Sequence, residues 1–191
     1  MSSLTTTDRL QELLPQLFNE QKREGNYYLR FGLTSDLTVL LDLKYVQESL
    51  TVDSSQITSV PNLPEYVVGM MTSRNRVFLA LDLAHLVGLS PATINLRQYQ
   101  TIVVQINSGK QNNVQPEEAN FYGLTVRQIQ GISRILPEQF DTSTSKAPDI
   151  LQPFIQGSVI DRSENSDADS AESQRSYLLD LNRLITARIQ S

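Results

Sequence analysis

Residues 57–89 read ITSVPNLPEYVVGMMTSRNRVFLALDLAHLVGL, and this stretch is the most informative part of the sequence. Pro61 and Pro64 each fix their own φ and favour an extended conformation in the residue before them. Two apolar runs of strand length follow, Tyr66–Met71 and Val77–Leu81, and five polar residues separate them. The stretch therefore predicts a stiff loop that leads into a β-hairpin.

The polar residues Thr72–Arg76 form the predicted turn of this hairpin. Asn75 suits a tight turn, because asparagine tolerates positive φ better than most residues. Arg74 is then held at the tip between two ordered strands. Arginine is enriched among the residues that dominate binding energy at interfaces, so Arg74 is the best candidate for a contact with a partner. The alternative is a solvated turn arginine beside Arg76.

A short capped helix is predicted after the hairpin. The carboxylate of Asp82 can cap the first amides of Leu83–Val87, a contribution of about 1 kcal/mol, and Gly88 suits the left-handed residue after the helix. His85, the only histidine of the chain, lies in this helix and is predicted to be a surface or packing residue.

The second half of the chain repeats this pattern. Two series correspond, namely Gly69, Arg74 and Asp82 in the first half and Gly157, Arg162 and Asp180 in the second. The arginine and the aspartate are eight residues apart in the first series (82 − 74) and eighteen in the second (180 − 162), and the difference falls in a polar, acidic loop. Two similar small β-units, each closed by a short capped helix, are therefore predicted, and paired small barrels suit them best.

Further strands and connectors follow from alternation and polarity. The predicted strands are Tyr27–Leu33, Thr38–Leu43, Tyr99–Ile106, Phe121–Val126 and Ser176–Leu179, and Asp180–Gln190 is a predicted helix. Residues Lys44–Leu50 fit either a helical turn or a strand. The polar connectors are Ser108–Asn120, Asp141–Asp149 and Asp161–Ser176.

Three further positions have two interpretations each. Gly69 lies inside a predicted strand, where glycine marks a bulge or a close backbone approach; the alternative is a flat spot on which a partner docks. Val46 is predicted to lie at the edge of the core, and Glu48 to be solvated. A weaker hypothesis makes Val46 and Glu48 partner contacts.

Residues 1–25 form a predicted amphipathic arm, and residues 26–191 form a single domain of two subdomains. Leucines and one phenylalanine recur in the arm at helical spacing, although Pro15 should break or kink that helix. Packing of the arm on its own domain is favoured, and a docking helix for a partner is the alternative.

The composition of the chain excludes some classes of functional site and disfavours others. The chain has 191 residues, no cysteine and a formal net charge of −5, so disulfides and thiolate sites are excluded and phosphate-backbone binding is disfavoured. No apolar run could span a bilayer and no secretory signal is present, which predicts a cytosolic protein. No catalytic constellation, metal site or cofactor motif is found, which disfavours a hydrolytic enzyme. A small β-barrel that binds nucleic acid is the alternative function.

Residues 57–69, Val77–Leu89 and Val46-Gln47-Glu48 resemble the CheW-like adaptor family of bacterial chemotaxis systems. The likeness runs from about Tyr27 to Ile189. It implies a mainly β fold of two intertwined, five-stranded, SH3-like barrels. It also implies a non-catalytic adaptor that links the regulatory domain of a CheA-type histidine kinase to the cytoplasmic tip of a methyl-accepting receptor. Such a protein is cytoplasmic and is recruited to receptor arrays without inserting into the membrane.

The resemblance also assigns roles by position. Arg74 matches the arginine of the family's N-L-R-G turn, which lies at the receptor and kinase contact surface. Val46 and Glu48 match positions implicated in kinase or receptor binding, and Gly69 matches a glycine linked to coupling. The stretch Thr72-Ser73-Arg74-Asn75 keeps only the arginine of the N-L-R-G turn, which leaves the turn's preference for partners open.

The long leader and the acidic insertion are similar to those of adaptors in type IV pilus twitching or phototaxis pathways of cyanobacteria. Within the family, the closest alternative is that the chain is a regulatory domain of a larger kinase. The chain starts with its own methionine and shows no upstream catalytic domain, which favours a free-standing adaptor.

Overall fold

The computed structural model describes residues 25–91, 96–107, 119–161 and 174–189. The predicted arm lies outside these residues apart from Gly25, and so do most of the two longest polar connectors. The described strands are β1 (Asn26–Gly32), β2 (Thr38–Asp42), β3 (Val46–Asp53), β4 (Val67–Ser73), β5 (Arg76–Asp82), β6 (Gln98–Asn107), β7 (Ala119–Val126), β8 (Gln128–Ile135), β9 (Phe140–Asp141), β10 (Ile155–Asp161) and β11 (Gln174–Leu179). The helices are α1 (Leu83–Val87) and α2 (Leu181–Arg188), and short 3₁₀ turns cover Leu43–Tyr45, Ser54–Gln56, Pro137–Gln139 and Gln152–Phe154.

The strands form two curled sheets, and the two halves of the chain exchange strands between them. The first sheet has the order β3-β6-β7-β5-β4, and the second has the order β8-β1-β2-β11-β10-β9. Strand β3 of the first half pairs with β6 of the second half, and β8 of the second half pairs with β1 of the first half. The predicted pair of intertwined β-units is confirmed, and the two-residue strand β9 gives the second sheet a sixth strand.

The main core lies between the two sheets. Both sheets and both helices contribute fully buried side chains to it, including Phe31, Leu41, Leu81, Leu86, Ile102, Leu124, Leu181 and Leu184. Each sheet also has a smaller apolar cluster of its own. In the first sheet this consists of Val52, Met71, Phe78, Ala80 and Val103, and in the second of Tyr28, Leu40, Ile135, Val159 and Leu178.

The predicted helix caps are confirmed at atomic detail. The Asp82 carboxylate accepts a hydrogen bond from the His85 amide at 3.0 Å, and the Asp180 carboxylate accepts one from the Arg183 amide at 3.0 Å. Gly88 has a φ of 99° and ends α1 in the left-handed conformation. The caps therefore follow from the local sequence, as expected of interactions between residues three apart.

Several predicted boundaries are corrected. The residues Lys44–Leu50 contain both alternatives, since a 3₁₀ turn ends at Tyr45 and β3 begins at Val46. The polar hairpin turn is shorter than predicted, because its outer residues pair across the two strands and only Arg74 and Asn75 remain. The polar connectors predicted at Asp141 and at Ser176 likewise give way to strands β9 and β11 at those ends.

Strand β8 was not predicted from its own sequence. Its isoleucines, Ile129, Ile132 and Ile135, recur every three residues instead of alternating. The register of β8 against β1 shifts between the partners of Ile129 and Gly131, and this β-bulge accounts for the first interval of three. The second interval has a different reason, because Ile132 is 62% exposed and Ile135 is buried in the apolar cluster of the second sheet. The isoleucines therefore do not mark one buried face.

None of the helices in the part of the chain that the structure describes is long and apolar enough to cross a membrane.

Candidate partner-binding site

A bulge in β3 determines where Glu48 points. The register of β3 against β6 shifts between Val46 and Glu48, so one extra residue is inserted there. Val46 packs against the main core between the sheets, whereas Leu50 and Val52 belong to the cluster of the first sheet. Glu48 follows the bulge and has the same parity as Leu50 and Val52. It therefore continues their row towards one end of the first sheet.

The hairpin between β4 and β5 closes through a two-residue turn. Arg74 has a φ of 46° and Asn75 a φ of 61°, as in the type I′ turns whose twist matches that of the flanking strands. Asparagine tolerates this region, but for arginine the left-handed conformation costs about 1 kcal/mol. An interaction outside the turn should therefore help to hold Arg74 in place.

Glu48 supplies that interaction. The Ser73 hydroxyl donates a hydrogen bond to Glu48 Oε1 at 2.6 Å, and Arg74 Nε lies 3.0 Å from Glu48 Oε2. The Glu48 side chain is 18% exposed and that of Arg74 is 71% exposed. Because β3 and β4 are the two outer strands of the first sheet, these contacts also tie its edges together. We call Glu48, Ser73 and Arg74 the Glu48 cluster.

The Glu48 cluster unites two of the residues that the sequence singled out, Glu48 and Arg74. The prediction that Glu48 is solvated is wrong, because both of its carboxylate oxygens have partners in the protein. Ser73 was not singled out. Its position beside Arg74 was a signal, but no local pattern indicates a residue 25 positions away as its hydrogen-bond acceptor.

An arginine–aromatic pair lies beside the Glu48 cluster. The Arg76 guanidinium lies 4.3 Å from the centroid of the Phe121 ring, within the range of a cation–π contact. Val77 follows Arg76 and is 61% exposed, although it is apolar. Because side chains alternate along a strand, Val77 points to the opposite face of β5 from Arg76. The face that carries Arg76 and Phe121 therefore combines charge with aromatic surface, as contact surfaces do.

Gly69 has a clear structural role. The register of β4 against β5 shifts between Val67 and Gly69, which is the predicted bulge. A Cβ atom at Gly69 would lie 2.6 Å from the carbonyl oxygen of Thr58. Only glycine therefore lets the loop of residues 57–64, which we call the proline-rich loop, approach β4 this closely. The coupling role of Gly69, like the contact roles of Val46, Glu48 and Arg74, stays a prediction.

His85 takes part in packing and in one peripheral contact. Its Nε2 atom lies 3.8 Å from a carboxylate oxygen of Glu65, and its side chain is 26% exposed. Within the described ranges, no three histidine, aspartate or glutamate side chains are grouped so that they could hold a metal ion. Arg162, the counterpart of Arg74 in the repeat, lies outside those ranges.

Comparison with known proteins assigns the fold and the family. No curated protein matches the chain significantly in sequence. Among solved structures, the scaffolding protein TtCheW from Thermoanaerobacter tengcongensis matches with a TM-score of 0.61 and 17% sequence identity, over 84% of this chain and 92% of that chain. At this identity the likeness supports the fold alone. The model of the CheW-like domain family matches residues 28–188, which is well over half of the sequence, and the chain therefore belongs to the CheW-like family.

Proposed function

We propose that this chain is a non-catalytic adaptor that couples methyl-accepting receptors to a CheA-type histidine kinase. Membership of the CheW-like family supports a scaffold role in chemotaxis-type signalling. The regulatory domain of the kinase and the cytoplasmic tip of the receptor are the two proposed partners. The protein would act in the cytoplasm at receptor arrays and would need no cofactor.

The Glu48 cluster is the observation that carries this proposal. Arg74 is displayed on a two-residue turn between paired strands and is tied by Glu48 to a third strand. A contact residue that is already ordered loses little conformational entropy when a partner binds. Arginine in such a position can serve as an interface anchor with an acidic group of the partner.

The proposed mechanism is binding in a fixed geometry. The exchange of β3 and β8 between the two halves makes the sheets share one core, so surfaces on the two sheets cannot move independently. A receptor bound to one surface would then bias a kinase bound to another. Because the regulatory domain of such kinases is similar in fold, an apolar contact between barrel ends is expected, and the exposed Val77 suits it.

Calorimetric titration of the full chain tests the proposal. The two titrants are the regulatory domain of the CheA-type kinase and the receptor cytoplasmic hairpin of the same organism. Arg74→Glu should weaken at least one interaction by about tenfold or more, as expected of an interface anchor. Loss of the contact with Glu48 should lower the thermal stability of this variant, so the titration is made at a temperature at which circular dichroism shows it to be folded. Arg97→Glu is the matched control, because Arg97 is also exposed and precedes a strand of the same sheet.

Two results would contradict different parts of the proposal. If the unsubstituted chain binds neither titrant, the adaptor function is wrong. If both titrants bind and Arg74→Glu leaves both affinities unchanged, the adaptor function stands and the assigned contact is wrong.

The proposed pathway is type IV pilus motility or phototaxis, on the strength of the long leader and the acidic insertion. Deletion of the gene should then abolish directed surface movement towards light while surface pili are still assembled. Normal directional movement in the deletion strain would argue for a different chemotaxis-type output.

A further inference from the structure

We propose that Ser73 is a positioning residue that fixes the Glu48 carboxylate and, through it, the direction in which Arg74 presents its guanidinium. This inference rests on the proposed role of Arg74 as a partner contact. It also accounts for a residue at which the turn departs from the N-L-R-G pattern, since a serine hydroxyl can donate a hydrogen bond and a leucine side chain cannot.

The Glu48 carboxylate is held at both oxygens. The distance of 2.6 Å from Ser73 Oγ to Oε1 falls in the range of short, charge-assisted O–H···O⁻ bonds, which are the strong ones. The second oxygen, Oε2, faces Arg74 Nε at 3.0 Å. With only 18% of its side chain exposed, Glu48 has little water available to replace a lost partner, so each of the two contacts matters.

The two contacts have different consequences for Arg74. A carboxylate that contacts only a flexible, exposed arginine can rotate about its terminal torsion and follow that arginine. Once Ser73 fixes Oε1, the position of Oε2 is fixed as well. The guanidinium is then anchored through Nε, while 71% of the Arg74 side chain stays exposed for a partner.

The turn itself gives a reason for this support. Type I′ turns favour Asn-Gly, because both central residues have positive φ. Here Arg74 and Asn75 occupy these places with φ of 46° and 61°, so the turn residues specify the conformation less strongly than Asn-Gly would. The tie from Ser73 and Arg74 to Glu48 on β3 makes up for this weaker local preference.

The partner group that fits an anchored, exposed guanidinium is a carboxylate. Arginine presents a planar array of donors that matches the two oxygens of a carboxylate, and a preset orientation preserves that match. We therefore expect Ser73 to influence how well an acidic side chain of the partner is recognised, although Ser73 itself need not touch the partner.

Nitrogen-15 NMR of the full chain tests the positioning directly, through hydrogen exchange at the Nε–H of Arg74. Ser73→Ala should accelerate this exchange by about tenfold, the factor that corresponds to losing a hydrogen bond to a charged group. Ser73→Thr, which keeps the hydroxyl, should restore the slow exchange. Thr72→Ala removes an exposed hydroxyl from the preceding position of the same strand and should change nothing.

A binding measurement separates positioning from a merely structural role. Ser73→Ala should weaken binding of the kinase regulatory domain or the receptor hairpin by about fivefold, a typical effect of one side-chain hydrogen bond, at a temperature at which circular dichroism shows the variant to be folded. Unchanged Nε–H exchange in Ser73→Ala would overturn the inference whether or not the partners bind. Accelerated exchange together with an Arg74→Glu variant that binds normally would uphold the role of Ser73 and reject the contact proposed for Arg74.

Discussion

The two halves of the chain have the same arrangement of strands and bulges, but they differ in the side chains at equivalent positions. In the first half, the residue after the bulge of β3 is Glu48, which reaches the turn that carries Arg74. In the second half, the residue after the corresponding bulge of β8 is Gly131, with a φ of +128°. A Cβ atom at Gly131 would meet no atom within 4 Å. One half therefore uses this position for a charged contact, and the other leaves it open.

The structural features that the fold requires are the same in both halves. Gly69 and Gly157 both have a φ of +156° and both follow a bulge. The amides of Asp82 and Asp180 donate to the carbonyls of Tyr66 and Phe154, each at 2.8 Å. Bulges and caps therefore maintain the fold in both halves, while residues such as Glu48 make the surfaces of the two halves different. A contact site should accordingly be sought where the halves differ.

The two sheets also differ in where their interiors place small and large side chains. Gly123 in β7 lies opposite Ala80 of β5, and Leu40 in β2 lies opposite Leu178 of β11. A Cβ atom at Gly123 would lie 2.9 Å from the Met71 sulfur, because larger side chains from β4 and β5 fill that space. Equivalent positions therefore hold a glycine in one sheet and a leucine in the other, and each sheet is packed only with its own set.

The difference in interior packing is tested by placing in the first sheet the residue that the second sheet has at the equivalent position. We expect Gly123→Leu to lower the free energy of unfolding by about 3 kcal/mol or more, because a full side chain must displace Met71 and Phe78 in a filled interior. Urea denaturation of the purified chain measures this. A loss below about 1 kcal/mol would show that the interior can rearrange and that the two sheets are interchangeable.

A second prediction separates lack of space from backbone conformation. We expect Gly69→Ala to destabilise the protein by about 2 kcal/mol, since the added methyl group meets the Thr58 carbonyl and the φ is unfavourable. Gly131→Ala is the matched control, because it has only the unfavourable φ and should cost about 1 kcal/mol. Equal losses in thermal unfolding would mean that close approach of the proline-rich loop contributes nothing at Gly69.

The smallest expected effect concerns the two helix caps. Asp82→Ala and Asp180→Ala should each lower the free energy of unfolding by about 1 kcal/mol, and Asp82→Ala should have the larger effect because Asp82 is buried. Chemical denaturation with circular dichroism is sufficient to rank them. If Asp180→Ala is the more damaging substitution, the burial of the first cap does not explain its contribution.

Much of the fold was predictable because its signals are local. The loop of residues 57–64, the β4–β5 hairpin and both capped helices depend on residues a few positions apart. The repeat of the two halves becomes visible when two such local patterns are compared. Strand β8 escaped prediction because of its bulge and because one of its three isoleucines, Ile132, is exposed. Of the candidate site, the position of Arg74 at a hairpin tip was predictable, whereas its partner on β3 was not.

Short-range spacing in the sequence therefore predicted most of the elements, both helix caps and the position of Arg74 at a hairpin tip, whereas it did not predict β8 or β9. Only the tertiary structure decided that β3 and β8 cross between the halves, because strand pairing depends on which edges are open once the chain collapses. The same pairing brings Glu48 to Ser73 and Arg74 across 25 or more residues of sequence. A contact between two outer strands exists only when the sheet curls, and no pattern within either strand records it.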